Sequence, residues 1–171
     1  MTSYAIAEWT LDTVAANYTP ENTPAATPVL VDDEDGTVYR ITDAGGLEDL
    51  GRRYEPDPEE ANLVTVDSSP DRQEEPIGTE YDLKVDDAVN VTVEGAHADA
   101  GGELSGPSEF ESLYEEVRRA ILVERTSYPT IGGTVYYAIV PSNPGRPPAD
   151  EQSNYFAYEV DFGFSAYEGL P

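Results

Sequence analysis

Cysteine is absent from this chain, which excludes disulfide bonds, thiolate metal sites and cysteine nucleophiles and leaves the redox environment unreadable. Histidine occurs once, as His97, so no paired-histidine zinc site can form. Lysine also occurs once, as Lys84, and every other basic residue is an arginine. No apolar run approaches the roughly 18 residues that would read as a membrane-spanning helix. The first residues, Met1-Thr2-Ser3-Tyr4, lack the basic region and apolar stretch of a secretory leader. These absences lead to the expectation of a soluble protein, free of membrane, that acts where it is made or is carried away inside an assembly.

What the chain has in excess is carboxylate. Thirty-five acidic residues stand against nine basic ones, a net charge of -26 over 171 residues. The acids are spread from Glu8 to Glu168 instead of being gathered in one tail. Self-repulsion of this size strains a compact fold in dilute salt. In molar salt the Debye length falls to roughly 3 Å and the repulsion nearly vanishes. Acidity with almost no lysine resembles the proteins of halophiles that accumulate salt internally. The alternative is a mesophilic acidic protein or an acidic tail, but acidity alone does not remove lysine.

At this length one domain spanning 1–171 is expected, by a prior of about 150 residues per domain. Twelve Tyr, four Phe and one Trp argue against wholesale disorder, which is poor in aromatics. Tyr4, Ala7, Leu11, Val14 and Tyr18 recur at helical spacing, with Thr2 or Ser3 as cap and Pro20 as terminator. A Pro-rich linker, 19–28, leads to a predicted hairpin. Its strands are Val29-Leu30-Val31 and residues 37–41, joined by the turn 32–36 with its Asp-Gly step. Residues 42–60 read as loop with a helical turn, 62–66 as a short strand and 67–76 as a polar connection. Tyr81, Leu83 and Val85, then Val89, Val91 and Val93, alternate with polar neighbours, as in an antiparallel strand with one covered face. Asp86-Asp87-Ala88 interrupts them as a bulge or a tight turn.

A loop over 95–107 precedes the strongest helical pattern. Phe110, Leu113, Tyr114, Val117, Ala120 and Ile121 form one stripe, Ser108 and Glu111 a predicted capping box, and Glu115 and Arg119 a predicted ion pair. Residues 134–140 and 154–164 read as strands, the second sending Phe156, Tyr158, Val160, Phe162 and Phe164 to one side. The expected fold is α+β, a mainly antiparallel sheet with two helices packed on one face and extended loops.

No catalytic constellation emerges. The acidic turn 32–36 fails the EF-hand pattern, because alignment on its Gly36 puts Val31 first and Thr42 twelfth. His97 has no G-x-S-x-G partner and reads as a surface-loop residue. Carboxylate pairs carry no information among so many acids, and Gly45-Gly46 and Gly101-Gly102 lack phosphate-loop spacing. Arg52-Arg53 and Arg118-Arg119 do not make a nucleic-acid footprint on this background. Asn17-Tyr18-Thr19 and Asn90-Val91-Thr92 match the glycosylation tripeptide without an export signal. Catalytic residues, metal ligands and cofactor are therefore all expected to be none.

Three stretches, VNVTVEGAH (89–97), EFESLYEEVRRAILVERT (109–126) and NYFAYEVDFGF (154–164), resemble the tail terminator, or tail completion, proteins of long-tailed viruses, in the version borne by viruses of haloarchaea. The N-terminal helix fits the same layout, whereas residues 32–80 have no counterpart and read as an insertion or extended loop region. The resemblance implies a virion protein, assembled in the host cytoplasm, that forms a homohexameric ring at the head-proximal end of the tail tube. Its partners would be further copies of itself, the tail tube protein and the neck or connector proteins. DNA would pass through the lumen without specific binding. A neck stopper or adaptor, a non-viral acidic binding module and an acidic hydrolase are the competing readings. The loop 141–153, with four prolines, is the expected interface, and Asn143, Arg146 and Asp150 are its candidate contact residues.

Overall fold

The structure is a computed structural model that describes residues 2–52, 57–68, 73–77, 82–142 and 154–169. The side chains of Thr2, Ser3, Tyr4 and Asp82, and the whole of Tyr81, lie outside that description.

Among the described residues, nine strands form one sheet in the order β3-β2-β1-β4-β6-β9-β8-β7, with β5 beside β6. They are β1 (Val29–Asp32), β2 (Thr37–Ile41), β3 (Leu47–Arg52), β4 (Leu63–Ser68), β5 (Gln73–Pro76), β6 (Asp82–Ala96), β7 (Thr130–Ile131), β8 (Thr134–Pro141) and β9 (Tyr155–Gly169). The helices are α1 (Thr2–Asn17) and α2 (Pro107–Leu122). The α+β class therefore holds. Every pairing is antiparallel except β1 with β4.

The axis of the sheet is the β6–β9 ribbon, paired without a break from Asp82↔Gly169 to Ala96↔Tyr155. Asp86-Asp87-Ala88 is thus neither a bulge nor a turn. Asp87 keeps the inward phase of Val85, Val89, Val91 and Val93 and is buried, its Oδ2 accepting from the Tyr136 hydroxyl at 2.7 Å. A hydrogen-bonded acid has simply taken an apolar position in an otherwise regular strand.

Both helices contribute to one core with the inward residues of the sheet, including Leu30, Val64, Val66, Val160, Phe162 and Phe164. The predicted stripe of α2 is buried throughout. Helix α1 departs from a simple amphipathic pattern: Ile6, Ala7, Thr10, Leu11, Thr13, Val14 and Ala15 are all buried, and among its described side chains only Glu8, Asp12 and Ala16 are exposed. It packs against both the sheet and the neighbouring α2, so it is covered on two sides. Thr10 and Thr13 are tolerated inside because a hydroxyl can bond back to the preceding turn, as Thr10 does to the Ile6 carbonyl at 2.7 Å.

Other expectations are corrected as well. Residues 42–60 contain strand β3, and 67–76 contain strand β5, where loop had been expected. Both strands are exposed almost throughout, so neither shows the alternation by which a half-buried strand is recognised. The stretch 32–80 as a whole supplies strands β2 to β5, not an extended loop. The cap of α2 is Gly106 followed by Pro107, with Glu109 accepting from the Ser105 amide at 3.3 Å and from the Ser105 hydroxyl. Ser108 lies inside the first turn, where Pro107 holds the preorganised first position. Finally, Arg119 pairs with Glu116, three residues before it, and not with Glu115.

Candidate assembly surfaces

The helices cover one face of the sheet and leave the other bare along β6, β9 and β8. On the bare face stand Lys84, Asp86, Asn90, Thr92 and Glu94 from β6, and Tyr155, Glu159, Asp161, Ser165 and Tyr167 from β9, all half-buried or exposed. At one end the surface turns apolar. Val135 and Tyr167 are more than half exposed there, as is Val140 nearer the middle, opposite Gly163, and Tyr137 and Tyr167 stack with ring centroids 4.9 Å apart at 7°. A hydrogen bond shared with Tyr167 holds the Tyr137 hydroxyl above its ordinary range. On so acidic a chain, a solvent-exposed aromatic pair on an uncovered sheet face is the kind of exposed patch that marks an interaction site. The signal was present in the sequence as Tyr137 and Tyr167, but only the strand pairing brings them together.

In the middle of the same face, the Asn90 side-chain amide donates to Glu159 at 2.7 Å and to Asp161 at 2.8 Å. Ser165 donates to Asp86 at 2.7 Å, and Tyr155 donates to Glu94. These bonds order a row of carboxylates along the paired β6–β9 ribbon.

The solvent face of α2 is different in character. Its buried stripe holds it to the core, and a hydrogen-bonded cluster locks it to the linker after α1. Glu116, buried in the interior turn of the helix, accepts from the Thr19 amide at 2.9 Å, the Asn22 side chain at 2.9 Å and Arg119 Nε at 3.0 Å. Arg119 reaches on to the Asn17 carbonyl at 2.6 Å. Burial alone would raise the Glu116 carboxyl, but the bonds from Arg119, Thr19 and Asn22 outweigh it and hold it below its ordinary range. The same burial, with the Glu116 charge nearby, pushes the Tyr18 hydroxyl far upward.

The other sequence candidates fall into structural roles. In the 32–36 turn, Asp32 Oδ1 accepts from the Glu34 amide at 3.0 Å and Asp35 Oδ1 from the Thr37 amide at 2.9 Å. These are bonds that shape a hairpin turn. His97 is half-buried, less exposed than a surface-loop residue, and it organises the 97–105 loop. Its Nδ1 accepts from the Asp99 amide and its Nε2 donates to the Ser105 carbonyl, both at 3.0 Å. That loop folds tightly on β6, since a Cβ at Gly102 would stand 2.1 Å from the Ala96 carbonyl oxygen. Among the described residues no cluster of His, Asp and Glu is arranged to hold a metal ion, and no helix is long and apolar enough to cross a membrane. Asn143, Arg146 and Asp150 lie outside the described residues.

What the described residues display is therefore a pair of contrasting surfaces, an ordered carboxylate and tyrosine face on bare sheet and an arginine-bearing face on α2. No known family model matches the chain, and no curated protein matches it either.

Proposed function

We propose that this chain is a structural virion protein, a tail terminator that forms a ring at the head-proximal end of a viral tail tube, stops tube polymerisation and joins tail to head. The observation that carries this reading is the exposed Tyr137–Tyr167 stack with Val135 and Val140 on a sheet face that no helix covers. A patch of that kind serves contact with another protein. The three stretches that resemble tail terminators lie mainly in β6, α2 and β9, of which β6 and β9 pair along their length and α2 packs on β9. Copies of the chain, the tube protein and the neck proteins are the expected partners. The high negative charge suits a lumen through which DNA slides, because carboxylates repel phosphates and give no counterion-release attraction. It also suits a salt-rich cytoplasm, where the charge is screened.

Mass photometry of the purified chain in about 3 M KCl tests the reading. A hexameric ring that caps purified tube protein and halts its elongation is the expected result. A monomer at every concentration, inert towards tube protein, would overturn it in favour of an acidic binding module. A ring that binds neck components but not the tube would identify a stopper or adaptor instead.

A further inference from the structure

We infer that the solvent face of α2 and the bare face of the sheet are the two halves of one contact, so that the helix side of one copy seats on the sheet side of the next. This rests on the ring reading and specifies its interface.

On the side of α2 opposite its buried stripe lies an open groove of about 1030 Å³, lined among others by Glu115, Arg118, Leu122, Val123 and Arg125. Three of the nine basic residues of the chain, Arg118, Arg119 and Arg125, converge here. Arg119 is occupied by Glu116. Arg118 has only Glu115, at 3.9 Å, and Arg125 donates to the Leu122 carbonyl at 3.0 Å with no described carboxylate in ion-pair range. Two guanidinium groups thus keep donors to offer, beside Val123, which is 46% exposed.

The opposite side of the subunit is the complement. Glu159 and Asp161 project from the bare face of β9, held side by side by Asn90, and no described cation lies in ion-pair range of either. Val140, 59% exposed and paired with Gly163, supplies an apolar neighbour two residues along. Two carboxylates with an exposed valine face outward on one side, and two guanidinium groups with an exposed valine on the other. The occupant is a second copy of this chain because one chain carries both halves, on opposite sides of a two-layer fold. A contact between unlike surfaces is head-to-tail, and such contacts close into rings when the rotation between copies permits. Arginine suits the task in concentrated salt. Beyond roughly 3 Å the charges are screened, so only ion pairs in direct, bidentate contact still count.

Charge reversal of the full chain in about 3 M KCl, read by mass photometry with circular dichroism as a folding control, tests the contact. R118E/R125E and E159R/D161R should each remain folded and each lose the multimer. Their equimolar mixture should regain it, because every contact in an alternating ring then joins opposite charges. The quadruple variant R118E/R125E/E159R/D161R should assemble alone. Assembly of either double variant at the wild-type level sinks the inference. So does failure of both the mixture and the quadruple variant while all remain folded. Wild-type multimers with these negative outcomes leave the ring reading standing, whereas a monomeric wild type sinks both.

Discussion

Glu116 shows how one side chain fixes the relation of two elements. It is a buried acid whose oxygens collect donors from the linker after α1 and from Arg119 on its own helix. Removing it leaves Arg119 and the Thr19 amide without that acceptor, so Glu116→Ala should cost about 3 kcal/mol, the low end for breaking a buried pair because Arg119 is partly solvated. The pH dependence has a definite sign. With its folded pKa lowered, ionised Glu116 adds stability above the ordinary glutamate range, and that stability is lost as pH falls through the lowered value. Thermal melts of wild type and Glu116→Gln from neutral to acid should therefore converge. Curves that stay parallel to the acid limit would show that the charge does not matter.

Asp32 carries the opposite sign. Burial first, then the neighbouring Asp35 and Asp33, raise its pKa, while the Glu34 amide opposes them. An acid with a raised folded pKa contributes stability below its unfolded pKa that is lost as pH rises through the folded one, so ionised Asp32 is unfavourable at neutral pH. Asp32→Asn keeps the acceptor for the Glu34 amide and removes the charge. Its melting temperature at pH 7 should rise by roughly 2–4 °C, the shift about 1 kcal/mol gives a domain of this size. A fall would mean the carboxylate has a favourable partner.

At the scale of elements, α2 was legible and its start was not. The spacing of Phe110, Leu113, Tyr114, Val117 and Ile121 defines the buried face directly, because burial along a helix follows its 3.6-residue period. Leu113, fully buried, should cost about 2–5 kcal/mol on replacement by alanine. Ser108→Ala should stay within about 0.5 kcal/mol, since Ser108 does not cap the helix. Denaturant titration of both variants separates the cases, and a large loss at Ser108 would restore the capping box there. The S-x-x-E pattern at 108 competes at this terminus with the Ser105–Glu109 bonds that the structure shows. Pro107 settles the competition, because its fixed φ and missing N–H suit the first helical position. Strands β3 and β5 were hidden for another reason. With almost every side chain in solvent, they carry no apolar alternation, and their strand character comes from pairing with β2 and β6.

The whole molecule depends on its solvent. A net charge of -26 on a subunit with only a few ion pairs among its described residues should be held together by screening. Dialysis from about 3 M to about 0.1 M KCl should unfold or dissociate the protein, as the Debye length grows past the spacing of surface charges. A circular dichroism spectrum unchanged across that range would defeat the salt-adapted reading.

The sequence alone determined the α+β class, the β1–β2 hairpin, the buried stripe of α2, the inward face of β9 and the absence of any recognised catalytic motif. Each of these is written in local periodicity or in residue types. Only the tertiary structure decided that Asp87 is an inward residue of an unbroken strand, that Glu116 and not Glu115 holds Arg119, and that Asn90 gathers Glu159 and Asp161. It alone stacked Tyr137 on Tyr167. Those relations join residues far apart in the chain or depend on which neighbour is buried. Local pattern carries no record of either, because hydrogen bonding and burial are set by what the fold places opposite each side chain.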